Sequence, residues 1–137
     1  MHPESVLIVD DEPALAIALR ARLEAAGYVV HHAINGLAGV EAAVLHDPDA
    51  IIMDVRLPDV EGFEACERIR ALPGLGSVPV LFLSASAQEA ARRRAREAGA
   101  DEFLSKPYDA GDVIAAVERI IARAAPRRRR ASDASDG

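Results

Sequence analysis

The sequence predicts a doubly wound α/β fold, (βα)5, in which a central five-stranded parallel sheet is covered by helices on both faces. Three observations lead there. Five short apolar runs alternate strictly with longer segments of helical composition. The runs are continuously apolar rather than alternating with polar residues, as in strands buried on both sides. Polar, mostly charged residues stand just after several of the runs, where open parallel sheets keep their crevice.

The first run, residues 6–9 (VLIV), is β1. Helix α1 follows over 13–26, with Pro13 at its first position and Gly27 beyond its end. β2 covers 28–32. Asn35 and Gly36 turn the chain into α2 at 37–46, which stops before Pro48 because a residue preceding proline disfavours helical backbone. β3, 50–53, runs into Asp54. Residues 55–61, with Pro58 and two acids, make a loop of functional length, and Gly62 opens α3, expected to continue to residue 72. Pro73, Gly74 and Gly76 break the chain. β4 is 80–83, α4 is 87–98 with Gly99 after it, β5 is 102–104 and α5 is 108–124. One domain over 1–125 is expected. Residues 126–137, with four arginines at 127–130, read as a disordered tail or linker stub too short for a DNA-binding output domain.

At 137 residues the chain has room for one core, and 50% hydrophobic with 28% charged residues is a composition that folds. The net charge of −6 includes the arginine run, so the body is more acidic than the total, which argues against a nucleic-acid-binding face. With 4% aromatics, a base-stacking platform is excluded too. A single cysteine, Cys66, rules out an internal disulfide and reads as a small buried helix residue. No apolar run approaches membrane-spanning length, and MHPES lacks the pattern of a secretory signal. The expectation is a cytoplasmic protein. His2, His31, His32 and His46 show no metal-ligand spacing, and the arginines at 92, 93, 94 and 96 read first as a solvated helix face.

At the strand ends stand Asp10, Asp11 and Glu12 after β1, Asp54 after β3, Ser84 after β4, and Lys106 with Pro107 after β5. The predicted fold gathers them on one edge. Carboxylates brought together raise one another's pKa unless a cation is near. An oxygen-only donor set with open positions suits Mg²⁺ or Mn²⁺ better than zinc. One such ion and Lys106 balance Asp10, Asp11 and Asp54, leaving a site ready for a dianionic group. A carboxylate is itself a competent nucleophile toward phosphorus, and metal, ammonium and the Ser84 hydroxyl can offset charge on phosphoryl oxygens. Each residue alone also has a plainer reading. Asp10 or Asp11 can cap the helix at Pro13, Asp54 can close a strand, Ser84 can cap α4, and Lys106 can be a loop lysine before a cis proline. Their agreement at four strand ends is what carries weight.

These residues, with GADEFLSKP at 99–107 and MDVRLPDVEGFE at 53–64, resemble the receiver domain of two-component response regulators over nearly the whole foldable chain. The resemblance implies a flavodoxin-like (CheY-like) fold. It implies Asp54 as phosphoacceptor, Asp11 as the direct carboxylate ligand of Mg²⁺ (or Mn²⁺), Asp10 as the partner acid holding a metal-bound water, and the Arg56 backbone carbonyl as a further ligand. Lys106 then contacts the phosphoryl group, Ser84 is the switch hydroxyl and Phe103 the aromatic rotamer switch. The implied donor is a sensor histidine kinase or phosphotransfer protein, and the implied output is a downstream protein target on the α4–β5–α5 face, through which a homodimer is also compatible. Such a domain is a signalling phosphoacceptor, with self-phosphorylation and self-dephosphorylation at most.

Three departures matter. Ser84 lacks the methyl of the commoner threonine, so its rotamer is less constrained. Phe103 stands for a frequent tyrosine and turns inward by packing alone. Arg56 puts a long cation at the site mouth, where it is expected to change phosphoryl lifetime. Other functions fit less well. A haloacid-dehalogenase-like Mg²⁺ phosphatase wants an aspartate general acid where Arg56 stands, and a cap domain. A nucleotide or flavin binder wants a phosphate-cradling loop where this chain has DDEP. A phosphorylation-independent binding module has no need of the acids and Lys106.

Overall fold

The computed structural model describes residues 3–86 and 88–124. The ten elements appear in the expected order: β1 (Ser5–Val9), α1 (Pro13–Ala25), β2 (Val29–Ala33), α2 (Gly36–His46), β3 (Ala50–Asp54), α3 (Gly62–Arg70), β4 (Val80–Ser84), α4 (Glu89–Glu97), β5 (Glu102–Ser105) and α5 (Ala110–Arg123). All strand pairs are parallel, in the order β2-β1-β3-β4-β5. The chain steps outward from β1 to β2, then returns to the other side of β1 for β3. The winding direction therefore switches between β1 and β3, and the crevice of such a sheet opens at their carboxyl ends.

The pleat divides the core in two. Val6, Ile8, Ile52, Leu81 and Leu83 point to the side covered by α1 and α5, where they meet Leu19, Leu23, Val113 and Val117. Leu7, Val9, Ile51, Met53 and Phe82 point to the other side, against Phe63, Cys66 and Ile69 of α3 and Ala95 of α4. Because both faces are covered, β3 and β4 are buried along their whole length, which is why their sequences show no alternation.

Boundaries differ from the sequence reading where local capping decides them. Asn35 accepts the Ala38 amide at 2.7 Å, so α2 starts one residue early. Asp109 and Asp112 form a reciprocal capping box that starts α5 at Ala110 instead of 108. α4 starts after Gln88 rather than at 87, and α3 ends at Arg70 rather than 72. Gly27 and Gly99 take left-handed backbone beyond α1 and α4, as their placement predicts. The tail 126–137, His2 and residue 87 lie outside the described residues.

Candidate functional site

Parallel pairing in register brings the strand ends level: Val9 lies opposite Met53, Asp54 opposite Leu83, and Ser84 opposite Ser105. The residues leaving these strands open onto one cavity of about 560 Å³, whose lining includes Asp11, Glu12, Asp54, Arg56, Ser84 and Lys106.

Asp54 ends β3 and is 5% exposed. Its Oδ1 accepts the Arg56 amide at 3.2 Å, and its Oδ2 lies 3.9 Å from Lys106 Nζ. Asp10 is 2% exposed, with Oδ1 accepting the Glu12 amide at 2.8 Å. Its main chain is held from β2 at both ends, by its own amide donating to Ala33 O (3.0 Å) and by His32 Nε2 donating to its carbonyl (2.7 Å). Carboxylate oxygens of Asp10, Glu12 and Asp54 all lie within 4.8 Å of one another, and Lys106 Nζ is also 3.9 Å from Glu12 Oε1.

Burial pushes the Asp54 carboxyl up to about 6, with Asp10 and Asp11 pushing the same way while the Arg56 amide and Lys106 pull it down. Asp10 is raised as well, again chiefly by burial. Both shifts mark carboxylates whose charge burial makes costly and Lys106 only partly offsets. Hard oxygen donors at this spacing, short of positive charge, fit a divalent cation of the Mg²⁺ type.

The loop after β3 is anchored at two points. Gly62 donates to Val55 O at 2.8 Å, closing the loop, and an added Cβ on Gly62 would fall inside contact distance of the Asp54 carbonyl oxygen. Asp59 accepts the amides of Gly36 (2.8 Å) and Leu37 (2.9 Å), so the loop also caps the N-terminus of α2.

The structure thus brings Asp10, Asp54 and Lys106 together with Glu12, and puts Ser84 and Arg56 on the same cavity. Asp11 is exposed and lines that cavity, but the close group of oxygens includes Glu12 in its place. Glu12 is the N-cap residue of α1, and no side chain makes a capping bond there, so neither Asp10 nor Asp11 is a helix cap. Its only signal in the sequence was a third acid between the pair and Pro13. Ser84 does not cap α4 either; its Oγ accepts the Ser86 amide at 3.0 Å. Phe103 is half-buried on β5, with the Arg92 guanidinium 4.9 Å from its ring centroid. The Lys106–Pro107 peptide is cis. His32, which pins the site from β2, and Asp59, which ties the loop after β3 to the start of α2, have no sequence signature, because their partners are main-chain groups far along the chain.

Away from the cavity the plainer expectations stand. Cys66 is buried, with burial pushing its thiol up. On α4, Arg94 pairs with Glu67 at 3.0 Å and Arg96 with Glu89 at 2.8 Å, a solvated, ion-paired face. His31 and His46 stack with ring centroids 3.6 Å apart.

Residues 6–118 match the family described as the response regulator receiver domain. The chain is 38% identical over 118 residues to the DNA-binding dual master transcriptional regulator RpaA of Synechocystis sp., an alignment covering 86% of this chain and 49% of that protein. It is 39% identical over 124 residues to the transcriptional regulatory protein CreB of Escherichia coli, covering 90% and 53%. The chain therefore spans about half the length of these curated relatives. Among solved structures, the non-phosphorylated HemR receiver domain from Leptospira biflexa superposes with a TM-score of 0.82 at 32% identity, covering 91% of this chain and 99% of that one. The receiver domain of sensor histidine kinase PA1611 from Pseudomonas aeruginosa, described with a magnesium ion coordinated in its active-site cleft, gives 0.81 at 31% identity, covering 88% and 99%. No helix among the described residues is long and apolar enough to cross a membrane. With the match running from β1 into α5, and with sheet order and strand-end acids as expected for that family, the chain belongs to the receiver domains of two-component response regulators.

Proposed function

We propose that residues 1–125 act as a cytoplasmic phosphoacceptor module, in which the Asp54 carboxylate takes a phosphoryl group from the phosphohistidine of a sensor kinase or phosphotransfer protein. The observation that carries this reading is a buried strand-end carboxylate opening on the cavity, 3.9 Å from an ammonium and grouped with two further acids. An Asp54 oxygen attacks phosphorus, the P–N bond breaks, and the donor imidazole leaves with that electron pair and takes up a proton. Mg²⁺, or Mn²⁺ in its place, would be held by Asp10 and Asp54 with Asp11 or Glu12 and the Arg56 carbonyl, and supplies positive charge against the phosphoryl oxygens when bound.

Lys106, half-buried and 3.9 Å from Asp54 Oδ2, is placed to contact those oxygens as they arrive. Ser84 gives up its present role as acceptor for the Ser86 amide and donates its hydroxyl proton to the phosphoryl group. The space it leaves admits Phe103, whose departure from beneath Arg92 re-presents the α4–β5–α5 face to a downstream protein. Arg56, exposed at the cavity mouth, sets how readily water reaches the aspartyl phosphate. Its presence two residues after Asp54, where a phosphatase of the aspartyl-phosphate type needs an acid, favours signalling over turnover.

Incubation with acetyl phosphate and Mg²⁺, followed by intact-mass measurement and mapping of the modified residue, tests the reading. One acid-labile phosphoryl group on Asp54, lost in Asp54→Asn, is expected. Labelling retained at another residue in that variant overturns the assignment.

A further inference from the structure

Helix α4 is anchored to the core more lightly than its neighbours. Ala95 is the one buried residue of Glu89–Glu97, whereas α3 buries five residues and α5 four. Arginines supply the other ties. Arg94 pairs with Glu67 at 3.0 Å and lies 5.2 Å from the Phe63 ring centroid, both on α3, while Arg96 pairs with Glu89 of α4 itself. Arg92 is different. It is partly buried, makes no ion pair among the described residues, and holds its guanidinium over the Phe103 ring of β5, 4.9 Å from the centroid.

The ring beneath that guanidinium is well placed to report on the site. In-register pairing sets Phe103 opposite Phe82 and Ser105 opposite Ser84, so Phe103 and Ser84 stand one pleat repeat apart on the same face of the sheet. α4 covers that face. Ala91, the residue before Arg92, lines the cavity that holds Asp54 and Ser84, so consecutive residues of α4 border the two ends of the path from the ring to Ser84. An arginine over an aromatic face at a partly exposed position biases an equilibrium by about two- to fivefold. The contact exists in the present arrangement and is lost when the ring turns toward Ser84, so it weighs on one side only.

We propose that Arg92 is a positioning residue of the switch: its guanidinium latches Phe103 in the resting arrangement and so sets how much of the protein adopts the phosphoryl-binding arrangement before any phosphoryl group arrives. The role rests on the phosphoacceptor reading of Asp54. A ligand of the active arrangement binds more weakly in proportion to how rarely that arrangement is populated, so loss of Arg92 tightens binding at a site it does not touch.

The test uses the whole chain with Mg²⁺ as wild type, Arg92→Met, Arg92→Lys and Arg93→Ala, titrated with beryllofluoride as the phosphoryl mimic. The three phenylalanines carry 4-fluorophenylalanine, and the fluorine resonance of Phe103 is assigned by its loss in Phe103→Leu. Arg92→Met should lower the Kd for beryllofluoride about two- to fivefold and move the unliganded Phe103 resonance toward its saturated position. Arg92→Lys, which keeps the charge, should fall between Arg92→Met and wild type. Arg93→Ala removes an exposed charge from the same helix and should behave as wild type. A merely structural arginine predicts a lower urea midpoint for Arg92→Met with an unchanged Kd, and that result overturns the proposal, as does an equal gain in Arg93→Ala. A wild-type Phe103 resonance that stays put on saturation removes the latch and leaves the phosphoacceptor reading standing. A wild type that binds no beryllofluoride removes both.

Discussion

Replacing Asp54 with asparagine should stabilise the metal-free protein, although it destroys the proposed phosphoacceptor. The carboxyl rises from its ordinary value of 3.8 to about 6 on folding, chiefly through burial. The folded state therefore binds more protons than the unfolded one across that window, and stability falls as pH rises through it. Two pKa units at 1.36 kcal/mol each put the cost of the folded, ionised carboxylate at about 3 kcal/mol once the pH is well above 6. Asparagine keeps the shape and never ionises. Urea unfolding in EDTA, followed by far-ultraviolet circular dichroism, should place Asp54→Asn about 3 kcal/mol above wild type near pH 7.5, with the gap shrinking to about 1 kcal/mol near pH 4.5. Mg²⁺ should narrow the gap at pH 7.5 by stabilising the form that binds it. Equal stabilities at pH 7.5, or a gap that ignores acid, would show that the carboxylate is not held at a cost.

Three further outcomes follow from local geometry. Gly62→Ala would drive a Cβ into the Asp54 carbonyl oxygen and to 3.0 Å from Met53 Cγ, so about 1–3 kcal/mol of stability should go, and phosphorylation by acetyl phosphate should slow on the order of 100-fold in mass-spectrometric time courses. A variant labelled at the wild-type rate would mean that α3 yields without moving the acceptor. Arg70 donates to Gly76 O at 2.9 Å, Gly99 O at 2.6 Å and Asp101 Oδ2 at 3.2 Å, tying the end of α3 to the entrances of β4 and β5; Arg70→Met should cost about 2–4 kcal/mol in urea unfolding, and a loss below about 0.5 kcal/mol would mark the clamp as ornamental. His31 is lowered from 6.5, first by burial and then by His46 and Arg20, so the unfolded chain binds the extra proton and stability is lost as pH falls below 6.5. His31→Phe should flatten that part of the wild-type melting profile, and an unchanged slope would exclude the stacked pair as its source.

Much of the fold was legible because its physics is local or periodic. β3 and β4 are buried end to end, so they read as unbroken apolar runs; Pro13 marks a helix start by its fixed φ, and Gly27 and Gly99 mark helix ends by their freedom to take positive φ. The order β2-β1-β3-β4-β5 was not legible, since pairing partners leave no trace in a strand buried on both faces. Boundaries slipped where one hydrogen bond decides: Asn35 to the Ala38 amide, and the Asp109–Asp112 box, shift α2 and α5 by one or two residues.

The candidate site divides along the same line. Asp10, Asp54, Ser84 and Lys106 were legible because a parallel sheet in register brings its strand ends level, so position along the strand already specifies position in the site. Which second acid of the β1 exit lies nearest Asp10 and Asp54 was not, because Asp11 and Glu12 are consecutive residues in the bend between β1 and α1, where strand register no longer says which way a side chain faces. The bend is set from outside the segment: His32 holds the Asp10 carbonyl, Ala33 its amide, and Pro13 starts the helix. The consequence is mechanical as well as interpretive. Bonds from β2 to its main chain hold the buried Asp10, whereas Asp11 and Glu12 are exposed, Glu12 with its Oε1 3.9 Å from Lys106 Nζ, so a bound divalent ion would draw its further ligand from either of them. Removing Asp10 should therefore weaken the site more than removing either of its two neighbours, since each neighbour can stand in for the other and nothing adjacent can stand in for Asp10.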